Sequence, residues 1–100
     1  MKKPIRQTLF EELDLSLSAF GDKSKKISID FLKKGGIKYR PDDIDIEKTI
    51  DILGDVFGSY MDIMLNRMYW NTCSKLDIDP DRSVNVAPRQ KILDILKAPT

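Results

Sequence analysis

Residues 53–70 read LGDVFGSYMDIMLNRMYW, and this stretch decides how the chain folds. Its composition is that of a helix, yet it contains Gly54 and Gly58, and each glycine costs about 1 kcal/mol relative to alanine inside a helix. The apolar pattern also changes at Gly58. Before it, the apolar residues recur at helical spacings and form a single stripe: Ile46, Ile50, Leu53 and Phe57. After it, apolar residues occupy nearly every side of a helix, which is typical of a helix in the centre of a protein.

The change of pattern predicts two helices, at residues 45–57 and 59–76, with a break at Gly58. A glycine suits a helix end because it reaches positive φ values without steric cost. Asp43 or Asp45 is expected to cap the first of these helices, and Ser59 the second. Gly54 is expected to stay helical and, lacking a side chain, to let another helix approach; a dimer contact across the same groove is the alternative. One continuous helix is the alternative to the break.

The beginning of the chain predicts another helix. Thr8 and Glu11 have the spacing of a capping box. A helical stripe of apolar residues follows them: Phe10, Leu13, Leu17 and Phe20. This pattern predicts a helix over residues 8–20 that is ended by Gly21.

Residues 27–31 alternate apolar and polar side chains, as a strand would. Leu32 interrupts the alternation, and the apolar residues also fit helical spacing. Lys33 and Lys34 suit the negative end of a helix dipole, just before two glycines. A helix over residues 23–34 is therefore favoured over a strand.

A last helix is predicted at residues 88–97. Pro88 fits the first position of a helix, and an amphipathic pattern follows it: Ile92, Leu93, Ile95 and Leu96. The chain has 100 residues, of which 41% are hydrophobic and 33% charged, as is ordinary for one helix-rich domain. The predicted fold is all-α, a single domain over residues 1–100 with four to five short helices in a bundle.

The composition argues against an enzyme. The chain has no histidine, the commonest general base and a frequent metal ligand. It also has no glycine-rich phosphate loop and no nucleophile motif. We therefore expect no catalytic, cofactor-binding or metal-ligating residues. Cys73 is the single cysteine, which favours the cytoplasm, and no apolar run is long enough for a membrane span.

The second of the two central helices carries more apolar surface than a few short neighbours can easily cover. Methionines and aromatic residues suit either a core or an adaptable binding face. The candidate interface residues are Phe57, Tyr60, Met61, Met64, Met68, Tyr69 and Trp70. Burial of these side chains in the core is the alternative. We expect the uncovered part to form a two-fold homodimer, the commonest kind of oligomer.

A cluster of cations follows residue 22 and suggests a second kind of surface. Its members are Lys23, Lys25, Lys26, Lys33, Lys34, Lys38 and Arg40. Such a cluster could contact phosphates of nucleic acid. Asp22 and Asp30 interrupt it, however, and the net charge of the whole chain is only +1. A solvated helix face is therefore favoured over nucleic-acid binding.

The order of several short motifs resembles the Nitrosopumilus output domain, a small archaeal module. The matching motifs are Lys25-Lys26-Ile27 with Phe31-Leu32, Gly36-Ile37-Lys38, Asp43-Ile44, Ile50 through Leu53 to Val56-Phe57-Gly58, and Tyr69 through Leu76. The resemblance covers about residues 9–79 and leaves out the C-terminal helix and tail at residues 84–100. It implies a role in signalling output, alone or beside receiver or sensor domains, and it implies no reaction and no catalytic residues.

These observations predict a non-enzymatic protein-interaction module, an output or adaptor domain in archaeal signal transduction or transcriptional regulation. Two alternatives stay open. One is a nucleic-acid-binding regulator that uses the lysine-rich face of residues 23–34. The other is a purely structural dimerisation domain.

Overall fold

The computed structural model describes residues 4–97, and the predicted tail after residue 97 lies outside them. These residues form five helices: α1 (Ile5–Ser18), α2 (Asp22–Lys34), α3 (Ile46–Phe57), α4 (Tyr60–Leu76) and α5 (Pro88–Lys97). No strand occurs between residues 4 and 97, so the all-α prediction is confirmed, and the strand alternative for residues 27–31 is wrong.

The first four helices form a closed ring around the core. Each of them packs on the next, α4 packs back on α1, and α5 lies against α4 and α1. Every helix contributes fully buried side chains to this core, among them Leu17, Leu32, Leu53, Met68 and Ile92. Helices α3 and α4, which the sequence predicts on either side of Gly58, therefore close the ring between α2 and α1.

Helix α1 begins and ends earlier than its pattern predicts. The helix starts at Ile5, and the Thr8 hydroxyl lies inside it, donating a hydrogen bond to the Pro4 carbonyl at 3.3 Å. The prediction of a capping box at Thr8 and Glu11 is therefore wrong. The helix ends at Ser18, so Gly21, with φ 95°, belongs to the turn before α2 rather than stopping α1. Leu13 and Leu17 are buried as the stripe predicts, but Leu9 is buried in place of the partly buried Phe10, and Phe20 is exposed.

Helix α2 ends as the lysine and glycine pattern predicts. The Ile37 amide donates to the Leu32 carbonyl and the Gly36 amide to the Lys33 carbonyl, each at 3.0 Å, with Gly36 at φ 86°. These are the two hydrogen bonds of a Schellman motif. The side of α2 that packs inward, however, is formed by Ser28 and Leu32.

The break between α3 and α4 is confirmed, with details that differ from the prediction. Gly58 has φ 57° and ψ −134°, so its φ is positive but its ψ is not that of a left-handed helix. Ser59 follows at φ −63° and ψ −21°. These are the angles of a type II′ turn, whose first central residue is nearly always glycine. At the start of α3, the Asp45 side chain accepts a hydrogen bond from the Lys48 amide, as predicted.

Ser59 does not cap α4. Its side chain makes no capping hydrogen bond, because its backbone is already in the right-handed helical region, whereas a capping residue typically has extended angles. The turn at Gly58 thus starts the helix without help from the serine hydroxyl.

The prediction that Gly54 makes room for a neighbouring helix is wrong. A Cβ atom at Gly54 would meet nothing within 4 Å. The close approach occurs instead at Gly35, the residue that follows α2, where a Cβ would lie 2.6 Å from Cδ1 of Ile52 on α3. The small residue that the packing of α2 on α3 uses is therefore Gly35.

Replacing Gly54 with alanine should raise the free energy of unfolding by about 1 kcal/mol, because the helix propensity improves and the new methyl group meets no atom. Equilibrium denaturation with urea measures the change. Gly35→Ala is the matched control, since its Cβ would displace Ile52 and it should not stabilise the protein. A lower stability for Gly54→Ala would contradict the open environment of this glycine.

Candidate interaction surface

One side of α4 carries exposed apolar side chains, whereas the opposite side of the helix is buried in the core. Tyr60, Ile63, Arg67 and Trp70, here called the α4 stripe, follow one another at spacings of three, four and three residues. This spacing keeps all four on one side of a helix. Tyr60 is 45% exposed, Ile63 57% and Trp70 38%.

Two phenylalanines extend the N-terminal end of the stripe. The Phe20 ring stacks on Phe57 with centroids 5.1 Å apart, and it meets the Tyr60 ring edge-on at 5.5 Å. The turn at Gly58 places Phe57 and Tyr60 close enough for both to contact the same ring. An aromatic cluster therefore joins the ends of α1 and α3 to the start of α4.

A small cavity of about 80 Å³ lies beside this cluster, between α1 and α4. Its lining residues are Ser16, Ala19, Phe20, Tyr60, Ile63, Met64 and Arg67. Four of these residues are apolar, and Ser16, Tyr60 and Arg67 add two hydroxyl groups and a guanidinium group. The cavity can therefore receive an apolar side chain with a polar or charged neighbour.

The C-terminal end of the stripe is fixed by the loop between α4 and α5. The Arg82 guanidinium lies over the Trp70 ring, 5.8 Å from its centroid, and pairs with Asp79 at 3.1 Å. The Tyr69 hydroxyl accepts a hydrogen bond of 2.7 Å from the Asp81 amide, and burial raises the pKa of this tyrosine. The loop is thus held against α4 beside Trp70.

Four of the predicted interface residues belong to the core instead. Met61, Met64, Met68 and Tyr69 are at most 4% exposed, because α1 and α5 cover this side of α4. The interface prediction is wrong for these four, and the alternative of core burial holds. Phe57 is half-buried, and Tyr60 and Trp70 are exposed.

Sequence reasoning missed Ile63, Arg67 and Phe20 as members of this surface. A signal for the first two was present, because they share the helical side of Tyr60 and Trp70. It was hidden by the apolar residues on every other side of α4. Phe20 gave no signal, since it fitted the predicted buried stripe of α1.

The lysine-rich region is only partly available to a ligand. Lys25 pairs with Asp14 at 3.0 Å and also donates to the Ser18 hydroxyl, and Arg40 pairs with Asp43 at 2.8 Å. The other five predicted cations are exposed: Lys23, Lys26, Lys33, Lys34 and Lys38.

A shallow groove of about 350 Å³ runs along α2 within this region. It is lined by Asp22, Lys25, Lys26, Ile29, Asp30 and Lys33. Two carboxylates among three ammonium groups make a mixed surface rather than a dedicated phosphate site. Ile27 and Phe31 are also exposed on α2, so this helix carries apolar as well as charged surface.

The other charged contacts hold the helices together. The buried Glu12 carboxylate of α1 accepts hydrogen bonds from Asn71 and Lys75 of α4, and the bond to this carboxylate raises the pKa of Lys75. Arg89 of α5 pairs with Asp51 at 3.0 Å and with Glu47 at 3.3 Å, both on α3. These contacts join α1 to α4 and α3 to α5.

Two groups that carry chemistry in other proteins have raised pKa values here. Burial raises the pKa of the Cys73 thiol, so little of it is the nucleophilic thiolate. Burial and a hydrogen bond of 2.7 Å to Asp14 raise the pKa of Tyr39. Within residues 4–97, no group of three or more cysteine or acidic side chains is placed to hold a metal ion.

No protein-family model, no curated protein and no solved structure matches this chain at a significant level. The resemblance to the archaeal output domain therefore stays a prediction. No helix in the described part of the chain is both long and apolar enough to cross a membrane.

Proposed function

We propose that the protein is a non-enzymatic interaction module that binds another protein through the α4 stripe. The observation that carries this proposal is an exposed row of apolar side chains on the helix that is otherwise the most buried in the bundle. Contiguous exposed apolar surface often marks a binding site. Tyrosine, tryptophan and arginine are also the residues that most often dominate binding energies at interfaces.

The cellular role we propose is signalling output in the archaeal cytoplasm, as the sequence resemblance implies. The single cysteine supports a reducing compartment. The burial of the Cys73 thiol and the absence of histidine from the sequence support a role without catalysis.

Ile63→Glu should abolish capture of the partner without unfolding the protein, because it places a charge in the middle of the stripe. Ile27→Glu on α2 is the matched control, since both isoleucines are 57% exposed. Pull-downs from native lysate with the wild type and both variants, quantified by mass spectrometry, identify proteins lost only with Ile63→Glu. Identical sets of captured proteins from all three would overturn the proposal, provided that both variants melt at the wild-type temperature.

A two-fold homodimer through the same stripe is the structural alternative. In such a dimer, Tyr60, Ile63 and Trp70 of one chain would be covered by the same stripe of the second chain. Sedimentation equilibrium at micromolar concentration distinguishes the two cases, because a monomer has a mass of 11.5 kDa and a dimer twice that.

Nucleic-acid binding by the exposed lysines is the second alternative, supported by the five cations that make no ion pair with the described residues. Lys26→Ala and Lys33→Ala, both in the α2 groove, would then weaken binding to all DNA sequences about equally. The logarithm of the affinity would fall linearly with the logarithm of salt concentration. No retardation of duplex or single-stranded DNA at low salt would remove this alternative.

A further inference from the structure

Arg67 lies in the middle of the α4 stripe and makes no ion pair with any residue from 4 to 97. Arg67 lines the small cavity together with Phe20 and Ile63. Among residues 4–97, no carboxylate lies within ion-pair distance of it, whereas Lys75 and Arg82 nearby each have an acidic partner. An arginine in a mostly apolar lining is expected to find a carboxylate when that surface is covered, since an unpaired charge is costly to bury.

The same helix cannot supply that carboxylate. The exposed residues on the side of the stripe are Tyr60, Ile63, Asn66, Arg67, Trp70, Asn71 and Ser74, and none of them is acidic. Asp62 is the one acidic residue of α4. It precedes Arg67 by five residues, which places it about 140° away around a helix with 3.6 residues per turn.

The spacing of the stripe fits a helix as the partner. Tyr60 and Arg67 are seven residues apart, as are Ile63 and Trp70, so the four residues occupy the two core positions of two consecutive heptads. A facing helix would place its own apolar residues along this row. The cavity beside Phe20 would receive one of them.

A second copy of the chain fits this stripe less well. A two-fold axis through the centre of the stripe, at residue 65, would place the two Arg67 residues about 6 Å apart along the helix axis, at 1.5 Å per residue. Neither stripe carries a carboxylate to separate the two charges. Like charges brought together in an interface oppose association.

We propose that the α4 stripe binds an amphipathic helix of another protein whose apolar side carries an acidic residue at its centre, and that Arg67 selects that residue. This inference rests on the proposed function and specifies its partner. Apolar side chains of the partner cover Tyr60, Ile63 and Trp70, and its carboxylate pairs with the guanidinium.

Synthetic helices test the inference directly. Two stapled peptides of two heptads, with leucine at the facing positions, differ only in a central residue, glutamate in one and lysine in the other. Trp70 is the single tryptophan and lies on the stripe, so its emission should shift to the blue when a peptide covers it. Titration calorimetry gives the affinities.

We expect the glutamate peptide to bind at least about tenfold tighter than the lysine peptide at low salt. Arg67→Glu should reverse the order, and Arg67→Lys should keep it. Equal binding of both peptides would overturn the selection by Arg67 and leave the docking site standing. If neither peptide bound the stripe at millimolar concentration, the proposed function would be overturned as well. A blue shift that depends on protein concentration alone, with a doubled mass, would assign the stripe to a second copy.

Discussion

Met68→Ala should lower the free energy of unfolding by about 2–5 kcal/mol, the usual range for removing a large side chain from a well-packed core. Met68 is 1% exposed and belongs to the cluster that also contains Leu9 and Ile92. A typical small domain is stable by only about 5–15 kcal/mol, so the loss is a large fraction of the total. Thermal unfolding followed by circular dichroism should show a midpoint lower by at least about 8 °C.

Ile63→Ala on the same helix is the control for this prediction. Ile63 points away from the core, and its truncation should change the stability by no more than about 0.5 kcal/mol. Equal, small effects of the two substitutions, together with a change in mass on sedimentation for Met68→Ala, would place the methionine at an interface between chains instead.

Gly58→Ala should lower the free energy of unfolding by about 1–3 kcal/mol, because alanine must then adopt a backbone conformation that is nearly exclusive to glycine. Space is not the reason, since a Cβ at this position would meet nothing within 4 Å. The cost is therefore one of backbone strain alone. Urea denaturation of the purified variant measures it.

Gly54→Ala provides the contrast, since it lies four residues earlier in the same open surroundings but has helical angles. The two substitutions should change the stability in opposite directions. If Gly58→Ala stabilised the protein as well, residues 45–76 would form one continuous helix, and the aromatic cluster of Phe20, Phe57 and Tyr60 would not assemble.

The helices themselves could be predicted because their signals are local. The spacing of apolar residues, the cap at Asp45 and Pro88 at a helix start each involve residues within one or two turns. The caps at Thr8 and Ser59 were wrong for a different reason. A side chain caps a helix only where the backbone leaves the helical region, and for α1 that point moved to Pro4.

The candidate surface could be predicted only in part. Tyr60 and Trp70 were named, but so were four residues that proved to be core, and Ile63 and Arg67 were not. On α2, Ile27 and Phe31 stand at helical spacing in the sequence, yet both are exposed and Ser28 is buried. Hydrophobicity identifies the residues that could be buried, but it does not say which of them a neighbouring helix covers.

By itself the sequence determined the number and order of the helices and the break at Gly58, because these depend on contacts between near neighbours in the chain. Only the tertiary structure decided which side of α4 faces water. That helix is apolar nearly all round, so its own pattern favours no side. The packing of α1, α3 and α5 covers Met61, Met64 and Met68 and leaves the row through Ile63 and Trp70 exposed, because so short a chain has too few helices to enclose a central helix completely.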